Sequence, residues 1–183
     1  MILHRCFAWR ARARPTEPDG PLWFARSYQG DGRHDNPGEY GCLYVSEHEV
    51  SAVVEQLARF RGQRLVEGML ERRRLPLALA AIELPESKSL IDLDEPRVLT
   101  ENALRPSLVA TRRRELTQEQ ALVLFDRHDG VAGLRWWSTF EALWANVTLF
   151  DRAAGALKLV DVRRLALGDA ALSEAADVLG IAA

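Results

Sequence analysis

The chain has 183 residues, 48% of them hydrophobic and 27% charged, which is typical of a globular domain long enough to bury its own core. The net charge of −2 argues against a general nucleic-acid-binding protein, because such proteins usually carry a surplus of basic residues. No apolar run is long enough to cross a bilayer and the N-terminus lacks the pattern of a secretory signal, so we expect a cytoplasmic protein without a membrane segment.

The N-terminal region is predicted to contain strands separated by a loop. Ile2–Trp9 has the apolar content of a strand. Three prolines and an Asp-Gly pair make the next segment, Arg10–Pro21, a loop. Leu22–Tyr28 is aromatic and β-prone, which favours a second strand or an extended arm.

A glycine-rich loop, a short strand and a helix are then predicted in direct succession. The loop is Gly32–Gly41 and the strand is Leu43–Val45. Ser46 and Glu49 have the spacing of a capping box, so a helix is predicted from Ser46 to about Phe60. This segment therefore brings polar side chains of a loop close to those of a strand and a helix, which is how small sites are usually built.

The rest of the chain mixes helices and strands without strict alternation. Helical spacing and capping signals predict helices over Arg61–Arg74, over Pro96–Leu104, from Thr117 (with Gln120 completing a capping box) to Asp129, and over Asp169–Leu179. Apolar runs predict strands over Pro76–Leu84, Ser89–Leu93 and Leu134–Thr139, and a hairpin that pairs Asn146–Phe150 with Leu157–Val160. The pattern predicts one mixed α+β domain that spans residues 1–183.

Three polar side chains suggest chemistry, and each has an ordinary structural alternative. Arg33, on the glycine-rich loop, could bind an anion such as phosphate in a bidentate manner, or it could be a solvated loop arginine. Glu55 lies about 100° from Val54 at the edge of the apolar helix face, where we expect partial desolvation. It could be a catalytic carboxylate or an exposed helical glutamate. Ser138 could orient a sugar or phosphate hydroxyl, or cap a turn.

The cysteines, histidines and basic runs favour structural interpretations. Cys6 lies in a predicted strand and Cys42 directly precedes the strand predicted over Leu43–Val45, so buried free thiols are expected. The four histidines lack zinc-site spacing, and we expect no metal. Trp136 and Trp137 are expected in the core rather than as a stacking platform, and the run Arg112–Arg114 is expected to be a solvated surface.

Taken together, these residues resemble the RES domain family, which is named for an arginine, a glutamate and a serine. The resemblance rests on the order of Arg5, Gly32-Arg33, Leu43-Tyr44-Val45, Glu55 and Ser138. Arg33, Tyr44 and Glu55 follow one another at intervals of 11 residues, as in the toxin members of that family. One departure is His34, at a position where a larger aromatic residue is more common.

The resemblance implies a fold related to the ADP-ribosyltransferases and a toxin that pairs with an antitoxin carrying a helix-turn-helix portion. It implies NAD+ as the substrate, degraded by hydrolysis or by phosphorolysis. Two alternatives use the same residues: a protein ADP-ribosyltransferase, and a non-catalytic domain that binds NAD+ or a partner. The site residues implied are Glu55, Arg33 and Ser138 for catalysis, and Arg5, Arg33, Tyr44 and Ser138 for binding NAD+. Direct contact with nucleic acid or membrane is not expected.

Overall fold

The computed structural model describes residues 1–141 and 143–182, which form two compact units. The first unit is built from Met1–Trp23, Val45–Leu84 and Leu157–Ala183, and the second from Phe24–Tyr44 and Pro85–Ala156. Each unit therefore joins segments that are far apart in the sequence.

The described residues form eight strands and five α-helices. The strands are β1 (Ile2–Ala8), β2 (Cys42–Ser46), β3 (Glu71–Arg72), β4 (Leu75–Glu83), β5 (Leu90–Asp92), β6 (Gly133–Trp137), β7 (Ala145–Phe150) and β8 (Lys158–Arg164). The helices are α1 (Glu49–Leu57), α2 (Pro96–Glu101), α3 (Pro106–Val109), α4 (Arg114–Arg127) and α5 (Ala170–Leu179). Short 3-10 segments occur at Arg26–Tyr28, Ala58–Phe60, Glu67–Leu70 and Asp151–Ala156.

The sheet of the first unit is antiparallel and is organised around β4. β4 pairs with β1 along seven residues, from Ile2 opposite Glu83 to Ala8 opposite Leu77, and it also pairs with β3 and β8. The C-terminal end of β2 pairs with β1. α1 packs against β1 and α5 through a buried face made of Val50, Val53, Val54 and Leu57.

The second unit contains the N-terminal part of β2, followed in strand order by β7, β6 and β5. β6 and β7 are antiparallel, whereas β5 and β6 are parallel, so the strand arrangement is mixed. Helices α2 to α4 belong to this unit, and its core gathers aromatic and aliphatic side chains that include Tyr40, Leu124, Leu134, Trp136 and Phe150. The predicted α+β class with a mixed sheet and surrounding helices is confirmed.

Both predicted capping boxes were wrong, because neither Ser46 nor Thr117 lies at the N-cap of its helix. Ser46 ends β2, where it is buried opposite His4, and α1 begins only at Glu49 without a side-chain cap. α4 begins at Arg114 rather than at Thr117. The Thr117 hydroxyl instead donates to the carbonyl oxygens of Arg33 (2.6 Å) and Arg114 (3.1 Å).

Three other predicted elements differ from the structure. Leu22–Tyr28 forms turns and a 3-10 segment instead of a strand. Arg61–Arg74 is not a helix: it contains the 3-10 segment Glu67–Leu70 and the short strand β3. The predicted hairpin is also wrong, because β7 pairs with β6 while β8 pairs with β4. Helix α3 was not predicted.

Candidate functional site

Arg33 is buried, with 8% of its surface exposed, so the alternative of a solvated loop arginine is excluded. Its Nη1 donates hydrogen bonds to the carbonyl oxygens of Val109 (2.9 Å) and Thr111 (3.0 Å). The guanidinium carbon lies over the ring of Trp136, 4.9 Å from the ring centroid. Both hydrogen bonds and the cation–π contact hold the guanidinium plane in one orientation.

Arg33 and Trp136 form part of the wall of a small, shallow pocket in the second unit. The other lining residues are Val109, Ala110, Trp137 and Thr139. Pockets for whole ligands usually measure roughly 300–1,000 Å³, and this one is too small to enclose a whole ligand. The wall of the pocket is aromatic and aliphatic and carries one positive charge, that of Arg33. Such a wall suits a ligand in which an anionic group is attached to a flat or apolar group.

Ser138 lies between two of the pocket-lining residues, but its own side chain is buried, at 2% exposure. Its hydroxyl oxygen accepts a hydrogen bond from the backbone N–H of Phe140 (3.2 Å), and its backbone N–H donates to the carbonyl of Trp144 (2.8 Å). The turn-capping alternative therefore describes the observed contact, and a role towards a ligand stays a prediction.

The glycine-rich loop is organised around a buried carboxylate, that of Asp35. One of its oxygens accepts from the backbone N–H groups of Gly30 (2.8 Å) and Gly32 (2.7 Å), and the other accepts from the Tyr44 hydroxyl (2.7 Å). The Tyr44 oxygen also accepts from the backbone N–H of His34 (2.9 Å). We call this set of hydrogen bonds, made by Asp35 and Tyr44 to the loop, the Tyr44 clamp. A Cβ at Gly32 would come within 2.5–2.6 Å of Tyr44 and Asp35, so the clamp requires glycine there.

This clamp gives Tyr44 a structural task that the sequence did not indicate. Tyr44 was expected to bind NAD+, and in the structure its hydroxyl links Asp35 to the backbone of the loop that carries Arg33. Burial, together with the nearby Cys42 thiol and Asp35 carboxylate, raises the pKa of Tyr44 well above its ordinary value. The hydroxyl therefore remains protonated and acts as a donor to Asp35.

We expect Tyr44→Phe to lower the free energy of unfolding by about 1–3 kcal/mol, because Asp35 and the His34 N–H each lose a buried partner. The measurement is urea unfolding followed by circular dichroism. The matched control is Tyr28→Phe at a tyrosine that is 70% exposed, where the expected change is within about 0.5 kcal/mol. Equal losses at both positions would show that the Tyr44 clamp does not stabilise the loop.

Helix α4 holds the other side of the same loop. The Gln118 side chain donates to the carbonyl oxygens of Gly30 (2.9 Å) and Gly32 (2.8 Å). The Asn36 side chain donates in turn to the carbonyl oxygen of Gln118 (2.9 Å). Sequence reasoning missed Asp35 and Gln118. Asp35 follows Gly32 by three residues, and a short acidic side chain in a glycine-rich loop is a signal for local backbone hydrogen bonding that could have revealed it.

Arg5 belongs to the first unit and closes the loop over residues 10–21. Its Nη1 donates to the carbonyl oxygens of Gly20 (3.1 Å) and Pro21 (2.7 Å), and its guanidinium lies 4.7 Å from the ring centroid of Phe7. Burial lowers the pKa of Arg5 to about 9, which leaves the group charged at neutral pH. These contacts give Arg5 a structural role, and they involve only its own unit.

Glu55 also belongs to the first unit, on α1, and its side chain is exposed. The expected partial desolvation at a helix-face edge was therefore wrong. The buried face of α1 consists of its valines, Ser51, Ala52 and Leu57, and position 55 points away from this face. Of the residues implied by the resemblance, the structure places Arg33, Tyr44 and Ser138 in the second unit and Arg5 and Glu55 in the first.

The cysteine prediction is confirmed, since Cys6 and Cys42 are both buried free thiols. Arg112 is exposed, as expected for the basic run. Among residues 1–141 and 143–182, no group of three or more histidine, cysteine, aspartate or glutamate side chains is placed to hold a metal ion. Over the same residues, every helix is too short or too polar to cross a bilayer.

Comparison with known proteins identifies a family. The model of the RES domain matches residues 7–171, a span that includes Arg33, Tyr44, Glu55 and Ser138 but begins after Arg5. No curated protein is similar enough to count as a relative. The chain resembles the structure described as the M. tuberculosis MbcT-MbcA toxin-antitoxin complex, with 16% sequence identity and a TM-score of 0.64. The alignment covers 98% of this chain and 88% of that one, and at this identity it shows a shared fold.

Proposed function

Because the chain belongs to the RES domain family, we propose that it is an enzyme that cleaves the nicotinamide–ribose bond of NAD+ and acts as the toxin of a toxin–antitoxin pair. The observation that carries the proposal is the match over residues 7–171, within which Arg33, Tyr44, Glu55 and Ser138 occur in the order typical of the family. The fold shared with a toxin bound to its antitoxin supports an antitoxin partner for this chain as well. A helix-turn-helix portion in that antitoxin is part of the proposal.

The chemistry requires little acid catalysis. The nicotinamide ring carries a formal positive charge, so it departs as a neutral molecule with the electron pair of the bond to ribose C1. The ribose is left as an oxocarbenium ion. Water or phosphate then donates an electron pair to C1. When water attacks, it also releases a proton, and the products are ADP-ribose and nicotinamide. When phosphate attacks, the product is a phosphorylated ADP-ribose.

Glu55 is assigned to the oxocarbenium ion. A carboxylate beside the ribose stabilises the developing positive charge and holds a sugar hydroxyl, as carboxylates do in glycoside cleavage. Glu55 is exposed, so it is accessible to a substrate. Its field becomes stronger when the bound substrate excludes water from it.

Arg33 is assigned to the diphosphate. Two backbone carbonyls and the Trp136 ring fix its guanidinium at the pocket wall, so little conformational entropy is lost when an anion binds. Ser138 is assigned a hydrogen bond to ribose or phosphate. Tyr44 contributes its ring and the loop geometry, because its hydroxyl is bound to Asp35. Arg5 keeps the structural role of holding the loop over residues 10–21 through its hydrogen bonds to that loop.

The test compares NAD+ binding by Arg33→Ala, Arg33→Lys and Arg112→Ala, each in a Glu55→Gln background that slows turnover. Loss of a charge-assisted pair costs about 1.5–3 kcal/mol, so Arg33→Ala should raise the dissociation constant by about 10- to 100-fold. Arg33→Lys keeps the charge but loses the planar fork, and an intermediate effect is expected. Arg112 is exposed, and its removal should leave the affinity within about twofold.

Calorimetric titration of folded protein provides the measurement. Circular dichroism checks that Arg33→Ala is folded, because this substitution also removes the hydrogen bonds to Val109 and Thr111. Equal and small effects on affinity at positions 33 and 112 would rule out the diphosphate role of Arg33.

A further inference from the structure

Thr148 is a fully buried threonine on β7, and its hydroxyl joins two aromatic side chains. Its Oγ1 lies 3.1 Å from Nε1 of Trp136 and 2.8 Å from Nδ1 of His34. A valine has nearly the same shape and suits a buried strand at least as well. The polar hydroxyl at this position therefore has a specific task, namely its contacts with these two rings.

The chemistry of the indole fixes the direction of one of these hydrogen bonds. An indole Nε1–H can only donate, so Thr148 accepts from Trp136. The bond between the hydroxyl and Nδ1 of His34 has its donor set by the tautomer of the imidazole. Burial, with the positive charges of Arg33 and Arg114, lowers the pKa of His34 to about 3 and keeps the ring neutral.

These contacts hold the Trp136 ring against rotation. Its N–H is bound to Thr148, and the His34 ring packs against it at 89°, with the centroids 5.6 Å apart. The same indole lies under the guanidinium of Arg33, and both side chains line the pocket. A fixed indole therefore supports the cation at the pocket wall.

We propose that Thr148 is a positioning residue, which holds Trp136 through its hydroxyl and thereby sets the orientation of the Arg33 guanidinium. His34 completes the arrangement, because its Nδ1 bonds the Thr148 hydroxyl while its ring packs against Trp136. The effect on catalysis rests on the proposed function, whereas the effect on the two side chains does not.

The test compares Thr148→Val, which removes the hydroxyl and keeps the volume, with Thr148→Ser, which keeps the hydroxyl. NMR spectra of nitrogen-labelled protein report the indole N–H of Trp136, assigned with Trp136→Phe, and the Nε–H of Arg33, assigned with Arg33→Lys. In Thr148→Val both resonances should shift, and the indole proton should exchange with solvent at least tenfold faster. In Thr148→Ser both should stay near their wild-type positions.

A second comparison separates positioning from a purely structural role. In Thr148→Val we expect the KM for NAD+ to rise about tenfold with kcat changed less than threefold, because the ground-state position of Arg33 is disturbed. Thr148→Ser should stay within about twofold in both constants. In a Trp136→Phe background, Thr148→Val should have little further effect, since the two residues act through one contact.

Each outcome bears on the proposal. An Arg33 resonance that is unchanged in Thr148→Val would overturn it, and so would equal changes in Thr148→Val and Thr148→Ser. A shifted Arg33 resonance with an unchanged KM in an active enzyme would also overturn it, because the role would then be structural. If the wild-type protein does not cleave NAD+, the proposed function fails, and the Arg33 and Trp136 resonances alone decide whether Thr148 positions these side chains.

Discussion

Replacing Glu55 with glutamine is expected to lower the rate of NAD+ cleavage by about 10²-fold or more, with little change in the affinity for NAD+. Glutamine keeps the size of the side chain and removes the negative charge that we propose stabilises the oxocarbenium ion. The ground state of NAD+ carries its charge on the nicotinamide ring and the diphosphate, so the loss falls mainly on kcat. Single-turnover measurement of nicotinamide release separates this step from binding.

The position of Glu55 in the structure indicates that Glu55→Gln will change the stability of the protein little. Glu55 is exposed on α1, and exposed substitutions usually change the free energy of unfolding by less than about 0.5 kcal/mol. The matched control is Glu67→Gln, at an exposed glutamate of the same unit in the 3-10 segment Glu67–Leu70, where normal turnover is expected. Near-normal turnover in folded Glu55→Gln protein would remove Glu55 from the mechanism.

Expression of the wild-type chain alone is expected to arrest bacterial growth and to lower cellular NAD+ several-fold. An enzyme that destroys NAD+ without restraint is lethal to its own cell, so the proposed activity needs an inhibitor. The final helix, α5, buries Leu172, Ala175, Ala176 and Leu179 and so belongs to the core of the first unit. Restraint is therefore expected from a separate antitoxin.

The antitoxin is expected to restore growth by covering the pocket that Arg33 and Trp136 line. A cation at an aromatic wall suits an acidic side chain or a chain-terminal carboxylate of the partner. The experiment measures growth and NAD+ after induction of wild type and of Glu55→Gln, each with and without a co-expressed antitoxin. Equal toxicity of the two forms with unchanged NAD+ would contradict the toxin mechanism.

The elements with strong local signals could be predicted from the sequence. Helix α5 is an example: Asp169 caps it by accepting from the N–H of Ala171 (3.1 Å), and Gly180 ends it in the left-handed region at φ 62°. Strand β4 was also predicted to within a residue at each end, because its long apolar run has no competing helical pattern.

Predictions failed where a distant partner outweighed a local signal. Thr117 and Ser46 both stand in sequence patterns of capping boxes, yet Thr117 bonds to Arg33 and Ser46 is held in β2 opposite His4. β8 is close to β7 in sequence but pairs with β4, and the 3-10 segment Asp151–Ala156 separates the two strands. No local spacing encodes such pairings.

The candidate site shows the same division between features that a local sequence signal predicts and features that depend on distant partners. Arg33 could be singled out from the sequence because it lies on a glycine-rich loop. Its buried position, however, involves hydrogen bonds to carbonyls more than 70 positions away. Thr148 and His34 are separated by 114 positions, and a threonine in an apolar strand carries no signal of a contact with either ring. Tyr44 was noticed for its spacing, whereas its link to Asp35 became visible only in the folded loop.

The most direct measurement incubates purified wild-type and Glu55→Gln protein with NAD+, with and without phosphate, and identifies the products by mass spectrometry. The expected result is nicotinamide release by the wild-type protein without any acceptor protein, together with ADP-ribose or its phosphorylated form, and release at least 10²-fold slower by Glu55→Gln. Folded wild-type protein that releases no nicotinamide would contradict NAD+ degradation. Transfer of labelled ADP-ribose to an added protein, with no release in its absence, would identify a protein ADP-ribosyltransferase instead, and tight NAD+ binding without either reaction would identify a binding domain.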